Sequence, residues 1–507
     1  MDILPLELVT RIIDIVSYPD SDDERSHKAR LASLALVSKQ WRVIVESQTF
    51  CAIRVESTEL ETFDQVYGGL LAWTPPGQCR KKWRARSRHE RAAENQRNNE
   101  GFTAAIRDLF TILASWPYDA KRDRAIALSI YQKGPLPESV KLLAPETIPG
   151  VKRIASFRCD EQEIRIGSLP LVASRLPNLQ TCHWEYFNSN EPLNSIRTRR
   201  DRCEFARHLS LLTDSSIRQA HFTIRTYTPD NEDPETPSLL LPGHTTDHLS
   251  KSLHNFSQSQ SLSVLDIHEV IISPTLFWPA GNGASTPYWP NLTILRVTVN
   301  PMAAGGGWYF EQNPHFTPDN DDDRSPFNSD WESIPPTPER LYAEEEALAR
   351  TTDFSDDSVL DATASESESQ HGAIYNTTHR FRAWPSPKME PLLHSMAKAV
   401  TRMPALKFFA AGSQMPWPHS IDFEFFYLKP GEKQDLGEPE EGTIFDSNNV
   451  TTSRLFWRVP RFWRMSESVE KLWKDILGSE GIIEYQEWVL GKSYRSEVYK
   501  DSNQPSD

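Results

Sequence analysis

The sequence predicts an α/β protein with a small all-α unit at its N-terminus. Residues 1–50 carry apolar side chains at the spacing of amphipathic helices. From residue 102 onward, helical stretches alternate with single short runs of the strand type. Such alternation favours a parallel sheet, because each helix then returns the chain to the same edge of the sheet.

The net charge of -15 is concentrated in one part of the chain. Residues 311–370 hold 17 acidic residues against three basic ones, a local charge of -14. Like charges repel and apolar residues are scarce there, so we expect residues 310–379 to form a disordered acidic insertion. The rest of the chain is close to neutral, and its charge therefore does not point to a basic partner.

Cysteine usage and hydropathy indicate in which cellular compartment the protein resides. The chain has five cysteines, no C-x-x-C pair and no His/Cys group at the spacing of a zinc site. It also lacks a basic and apolar leader and any run of about 18 apolar residues. We therefore expect a cytoplasmic and/or nuclear protein without a membrane partner.

The first fifty residues predict three short helices. Asp2 can cap the first helix, and Pro5 falls in its first turn, where a missing N–H costs nothing. Apolar residues such as Leu8 and Ile12 follow at helical spacing, a second apolar run lies within residues 31–37, and a third begins at Trp41. So small a unit has little core of its own, and we expect a partner to cover part of its apolar surface.

Two motifs in this unit resemble a known family. Residues 4–8 read Leu-Pro-Leu-Glu-Leu, residues 34–42 read Leu-Ala-Leu-Val-Ser-Lys-Gln-Trp-Arg, and Phe50 closes the unit. In this order they resemble the F-box, over about a tenth of the chain. The link between the first two helices, residues 17–30, is longer than is usual in that family and contains an acidic run.

The resemblance implies a set of partners. F-box helices pack against the Skp-type adaptor of SCF ubiquitin ligases, and through it they join cullin and RING subunits. The residues implied in adaptor binding are Leu4, Pro5, Leu8, Ile12, Leu34, Val37 and Trp41. The alternative is an ordinary helical subdomain packed against its own chain, which would explain the apolar stripe but not the two motifs together.

From residue 102 the pattern predicts repeated helix and strand units. Turns of the type Leu-Pro-Asn-Leu before the strands resemble degenerate leucine-rich repeats, which implies an irregular leucine-rich-repeat-like helix/strand solenoid. The spacing of the units is irregular, and a non-repeating α/β domain is the alternative. Strands are predicted at residues 126–130, 181–187, 217–224, 262–267, 294–299 and 406–409.

These features divide the chain into six segments. They are an F-box at 1–50, a basic linker at 51–101, the first part of the repeat-like α/β domain at 102–309, the disordered acidic insertion at 310–379, the last part of the domain at 380–490 and a disordered tail at 491–507.

The sequence contains no motif that indicates catalysis. A nucleophile elbow, a phosphate-binding loop and a zinc pattern are all missing. His244 and His248 lie four residues apart without the intervening glutamate of a zinc protease. Cys182 and His183 are neighbours in a strand, so their side chains point to opposite faces. We expect a non-catalytic adaptor with no catalytic, cofactor-binding or metal-binding residue and no cofactor.

Two basic stretches bear on the choice of partner. Residues 80–88 combine six basic residues with a tryptophan. Such a run could contact phosphates or act in nuclear import, but it is also typical of a solvated linker helix. Residues 454–464 mix arginines with aromatic residues, and we expect the aromatic side chains to pack into the last repeat while the arginines cover its edge.

Together these patterns predict the substrate-recognition subunit of an SCF-type cullin-RING ubiquitin ligase. The F-box would bind the Skp-type adaptor, and the C-terminal domain would bind a target protein that the sequence does not identify. One alternative is an F-box scaffold without a role in ubiquitination. Another is a nuclear, nucleic-acid-associated protein that uses the basic linker, a partner class that the sequence favours less.

Overall fold

The computed structural model describes residues 52–56, 88–115, 126–131, 139–159, 164–188, 195–226, 235–241, 243–279, 286–312, 314, 382–414, 422–432 and 451–488. The F-box-like segment, most of the basic linker, most of the acidic insertion and the tail lie outside the described residues.

Helices and strands alternate along most of the described chain. The helices are α1 (Arg88–Ser115), α2 (Leu169–Ala173), α3 (Ile196–Leu209), α4 (His248–Ser257), α5 (Met389–Val400) and α6 (Glu467–Leu477). The strands are β1 (Ala52–Glu56), β2 (Ile126–Tyr131), β3 (Ile154–Cys159), β4 (Thr181–Asn188), β5 (Gln219–Thr226), β6 (Val264–Val270), β7 (Ile294–Val299), β8 (Phe310–Gln312), β9 (Arg382–Pro385), β10 (Phe408–Gln414), β11 (Asp422–Leu428), β12 (Arg454–Pro460) and β13 (Ile482–Trp488).

Eleven of these strands form one large, mostly parallel sheet. Strands β1 to β7 pair in chain order, each parallel to the next, and β10 continues the sheet parallel to β7. Strand β11 is antiparallel to both β10 and β12, and β13 is parallel to β12. Strands β8 and β9 form a separate antiparallel pair. The prediction of an α/β protein with a mainly parallel sheet is confirmed, whereas the antiparallel strands were not predicted.

Most of the predicted strands differ from the observed ones at one or both ends. The strand predicted at 294–299 is confirmed at those residues, but those at 217–224 and 262–267 begin two residues later, at Gln219 and Val264. Ile217 and Leu262 are buried in the turns before these strands, so they extend the apolar pattern without joining the sheet.

Several further elements lie where none was predicted, among them β12, β1 and the start of α1. Strand β12 falls within residues 454–464, where we expected aromatic side chains packed into the last repeat and arginines at its edge, but no strand. Nearly all of its residues are buried, so it lacks the alternation by which a strand is recognised. Strand β1 and the first half of α1 fall within 51–101, the predicted basic linker. The start of α1 is polar, and apolar periodicity begins only at Phe102.

The helices and one face of the sheet share one hydrophobic core. At its centre Phe222 of β5 meets Trp184 of β4, with ring centroids 5.2 Å apart, Phe205 of α3 at 6.0 Å and Phe256 of α4 at 5.6 Å. Each large aromatic side chain in a core removes about 150–250 Å² of surface from water. The same cluster runs on to α5, α6 and β12.

Local signals in the sequence fix the helix ends. Ser195, Asp247 and Ser466 cap α3, α4 and α6, because their side-chain oxygens accept hydrogen bonds from backbone N–H groups of the first turn. Gly478, with a φ of 78°, ends α6 at the predicted position. In the part of the chain that the structure describes, no helix is long and apolar enough to cross a membrane.

Removing the central ring of the core should destabilise the fold. We expect Phe222→Ala to lower the free energy of unfolding by about 3–5 kcal/mol, because Phe222 is only 1% exposed and its loss leaves a cavity among three aromatic rings. Phe187→Ala is the matched control on β4, where the ring is 38% exposed, and it should cost about 1 kcal/mol or less. Urea unfolding followed by tryptophan fluorescence measures both, and equal losses would contradict this core.

The buried His254 should make stability depend on pH. Burial lowers the pKa of its imidazole, although a hydrogen bond to the Leu276 carbonyl opposes the change. Below about pH 6.5 the unfolded chain therefore binds a proton that the folded chain does not, so the free energy of unfolding decreases as the pH is lowered. Between pH 7.5 and 5.5 the urea midpoint should fall less for His254→Gln than for the unmodified chain. His244→Gln, at an exposed site, should keep the full dependence.

Candidate functional site

The face of the sheet opposite the helices carries a row of polar side chains. Side chains alternate along each strand, so the buried neighbours Cys182 and Trp184 place His183 on the opposite face. Parallel pairing then aligns one residue of each strand with the next. We call this surface the polar face; it comprises Arg158, His183, Glu185, Phe187, His221, Thr223, Arg225, Asp266, His268, Glu269, Arg296 and Thr298.

Three histidines of the polar face lie side by side. His183 of β4 and His221 of β5 are register partners, and their rings stack with centroids 4.1 Å apart and planes 6° apart. The ring of His268, on β6, lies 5.0 Å from that of His221 and is tilted by 40°. Neighbouring strands are about 4.8 Å apart, so aligned rings on them must come into contact.

Asp266 connects two of these histidines. Its Oδ2 lies 3.3 Å from Nδ1 of His221, and its Oδ1 lies 2.7 Å from Nε2 of His268. Arg296 of β7 approaches the same carboxylate, with Nη1 3.8 Å from Oδ2. The carboxylate therefore sits among three groups that are cationic or can become so.

The histidines hold the neighbouring carboxylates in the charged form. Burial would raise the pKa of Asp266, but hydrogen bonds from His221 and His268 outweigh it and hold the pKa well below its usual range. A hydrogen bond to His183, 2.8 Å away, lowers the pKa of Glu185 in the same way. The polar face thus keeps both negative charges at neutral pH.

The carboxyl ends of the strands add an aromatic and charged patch. Phe187 is register partner of Arg225, whose guanidinium carbon lies 6.0 Å from the ring centre. Arg225 also pairs with Glu269 at 3.0 Å. Glu269 has a φ of 56° at an irregularity between His268 and Val270, which turns its side chain out of the alternating pattern.

Beyond β7 the same face becomes apolar. A second, smaller cluster is formed by Phe408, Phe426, Leu428 and Phe456 of strands β10, β11 and β12. Arginines border it: Arg296 lies 5.5 Å from the ring centre of Phe408, and Arg458 lies 5.6 Å from that of Phe426. Arg458 also pairs with Glu424 at 2.7 Å. This apolar cluster adjoins the polar face at β7.

Cys182 lies beside His183 in sequence but faces the core, as predicted. Its thiol is buried, and burial raises its pKa, so it stays protonated at neutral pH. The imidazole of His183 lies on the opposite face and faces Glu185. The pair therefore cannot act as a nucleophile and base.

The residues singled out from the sequence have different outcomes. The adaptor-binding residues lie outside the described residues, as does the basic run except for Arg88, which begins α1. His244 and His248 form an exposed pair, with Nδ1 of the first 3.1 Å from Nε2 of the second, and α4 begins at His248. The seven implied adaptor-binding residues are Leu4, Pro5, Leu8, Ile12, Leu34, Val37 and Trp41.

Sequence reasoning missed the polar face as a group. His183, His221 and Asp266 lie about 40 residues apart along the chain, and only the strand register brings them together. A usable signal was present, because each occupies an outward position of a strand whose neighbouring positions are apolar. Recognising the group would have required the register as well as the strands.

No model of a known protein family matches this chain, and no curated protein is similar to it.

The fold should require a glycine at position 412, where β10 packs closely against the antiparallel strand β11. A Cβ at Gly412 would lie 2.5 Å from Cβ of Glu424 and 2.9 Å from the Phe423 carbonyl oxygen, so β11 would have to move. We expect Gly412→Ala to lower the free energy of unfolding by about 1–3 kcal/mol. Gly305→Ala is the matched control, since nothing lies within 4 Å of its added methyl group. Chemical denaturation compares the two, and a neutral Gly412→Ala would refute the close approach.

Proposed function

We propose that this protein is the substrate-recognition subunit of an SCF-type cullin-RING ubiquitin ligase. Its N-terminal residues 1–50 bind the Skp-type adaptor, and the large sheet binds a target protein. The chain itself performs no chemistry in this scheme; it brings the target close to a conjugating enzyme carried by other subunits.

The adaptor half of the proposal is supported by the two F-box-like motifs. The Leu-Pro-Leu-Glu-Leu start and the Leu-Val-Ser-Lys-Gln-Trp element follow each other in the order of that family. A helical unit of this size has too little core to bury so wide an apolar stripe alone. Docking on an adaptor would cover that stripe.

The proposed binding of a target protein by the sheet rests on one observation, the polar face. Loops and exposed faces that display charged and aromatic residues are where recognition takes place, and Arg and aromatic residues dominate the energy of interfaces. Phe187 is 38% exposed on this face, and Arg225, whose side chain is 51% exposed, forms an ion pair with Glu269. A target protein can meet such groups with complementary charges and apolar side chains.

The balance of charges favours a protein target over a nucleic acid. A surface for phosphates needs an excess of Lys and Arg. The polar face instead alternates signs: Asp266 lies between His221 and Arg296, and Glu269 lies beside Arg225. This pattern suits a partner that carries both charges.

The strand order supports an irregular leucine-rich-repeat-like solenoid as the architecture of the large domain. In such solenoids each unit contacts its neighbours in sequence, and the strands offer one continuous binding surface. Strands β1 to β7 pair in chain order, which this architecture requires. The antiparallel strands β11 and β12 would then close the array.

Adaptor binding provides the sharpest test of the proposal. We expect the purified full-length chain to bind a purified Skp-type adaptor, and Leu8→Ala or Trp41→Ala to weaken that binding about tenfold or more, because each removes an apolar contact at the centre of the interface. The matched control is Leu211→Ala, where the side chain is 56% exposed on the large domain. Titration calorimetry gives the dissociation constants.

Two results would refute the adaptor half. The first is no binding of the adaptor by the intact chain. The second is unchanged binding by both variants while circular dichroism shows that they remain folded. Loss of binding in Leu211→Ala as well would mean that the interface lies outside residues 1–50.

A further inference from the structure

Three side chains of the polar face converge on one point between β5 and β6. Nδ1 of His221 and Nε2 of His268 both face the carboxylate of Asp266, and the possible ligand atoms lie within 4.8 Å of one another. Two imidazoles and one carboxylate form the donor set of open zinc sites and of other transition-metal sites. We propose that His221, Asp266 and His268 bind a divalent transition-metal ion, for which Zn²⁺ is the natural probe.

The ring orientations select this trio over its neighbour. A ring nitrogen binds a metal through a lone pair in the ring plane, so both rings must have planes that meet at the ion. The planes of His221 and His268 are inclined by 40°, so in-plane lone pairs of the two rings can converge, whereas the rings of His183 and His221 are stacked with planes 6° apart. His183 and Glu185, which also lie near His221, are therefore poorly oriented to share an ion with it.

The distances require little movement for metal binding. A Zn²⁺ ion with nitrogen and oxygen ligands at about 2.0–2.1 Å holds them about 3.3 Å apart in a tetrahedron. Nδ1 of His221 lies 3.3 Å from Oδ2 of Asp266, and Nε2 of His268 lies 2.7 Å from Oδ1. Small rotations of the side chains would open room for the ion between them.

Threonines hold the two histidines from behind. Thr223 Oγ1 lies 3.1 Å from Nε2 of His221, and Thr298 Oγ1 lies 3.1 Å from Nδ1 of His268. When these outer nitrogens carry the proton and donate it to the hydroxyl groups, the inner nitrogens have free lone pairs. Metal-binding histidines are almost always oriented by such an outer hydrogen bond.

The carboxylate of Asp266 offers an oxygen to an ion. Its Oδ1 lies 2.7 Å from Nε2 of His268, and a cation between the two atoms would take the place of their direct contact. The positive charge of Arg296, 3.8 Å from Oδ2, opposes a second cation, so its removal should strengthen metal binding.

Solvent can reach the site, because the side chains of His221 and His268 are 25% and 33% exposed. Three protein ligands leave a fourth coordination position open for water or for a group of a bound partner. The site consists of residues of the sheet alone, so metal binding there does not depend on adaptor binding by residues 1–50.

Equilibrium dialysis of the metal-free full-length chain against Zn²⁺, with Co²⁺ absorption as a second readout, tests the proposal. We expect one tight ion per chain and the visible absorption of low-symmetry Co²⁺. Asp266→Asn should weaken binding by about 100-fold or more, and Thr298→Val by about tenfold. Arg296→Gln should tighten binding several-fold, an effect that a merely structural change would not produce.

Two matched controls locate the ion. His248→Asn removes a histidine of the exposed pair near α4, and His183→Asn removes the stacked neighbour; both should bind Zn²⁺ as the unmodified chain does. The proposal is overturned if the intact chain shows no saturable tight binding. It is also overturned if binding is lost in His183→Asn or His248→Asn, or survives in a folded Asp266→Asn variant.

Discussion

The fold depends on one constraint, the parallel pairing of consecutive strands. A parallel strand can follow its neighbour only after a connection that returns the chain to its starting edge. Strands β1 to β7 meet this requirement one after another, and the helices between them pack into a single core on one side of the sheet. The opposite side is then free to display whatever residues the sequence places there.

Register aligns side chains from distant parts of the chain on this opposite side of the sheet. His183, His221 and Asp266 stand one behind another on β4, β5 and β6, although about 40 residues separate each from the next. The sheet holds them at distances that flexible loops could not maintain. The same alignment explains why the imidazoles stack and why the pKa of Asp266 stays low: each follows from side chains fixed on adjacent strands.

Sequence patterns predicted the α/β class, the strand at 294–299 and the end of α6 at Gly478, because each left a local signature. Strand β12 was not predicted because both of its faces are buried, so apolar and polar residues do not alternate along it. The antiparallel pairing of β11 and the polar face were not predicted for another reason. Both depend on which strand lies beside which, a non-local property that no single segment encodes.

We propose that residues 1–50 bind the adaptor and that the polar face binds the target. Affinity purification with quantitative mass spectrometry should compare the intact chain, a chain lacking residues 1–50, and a chain with Phe187→Ser and Arg225→Glu. We predict that the deletion loses the Skp-type adaptor and cullin but keeps other partners, and that the double variant does the reverse. The account would be contradicted if the deletion kept the adaptor, or if the double variant kept every partner of the intact chain.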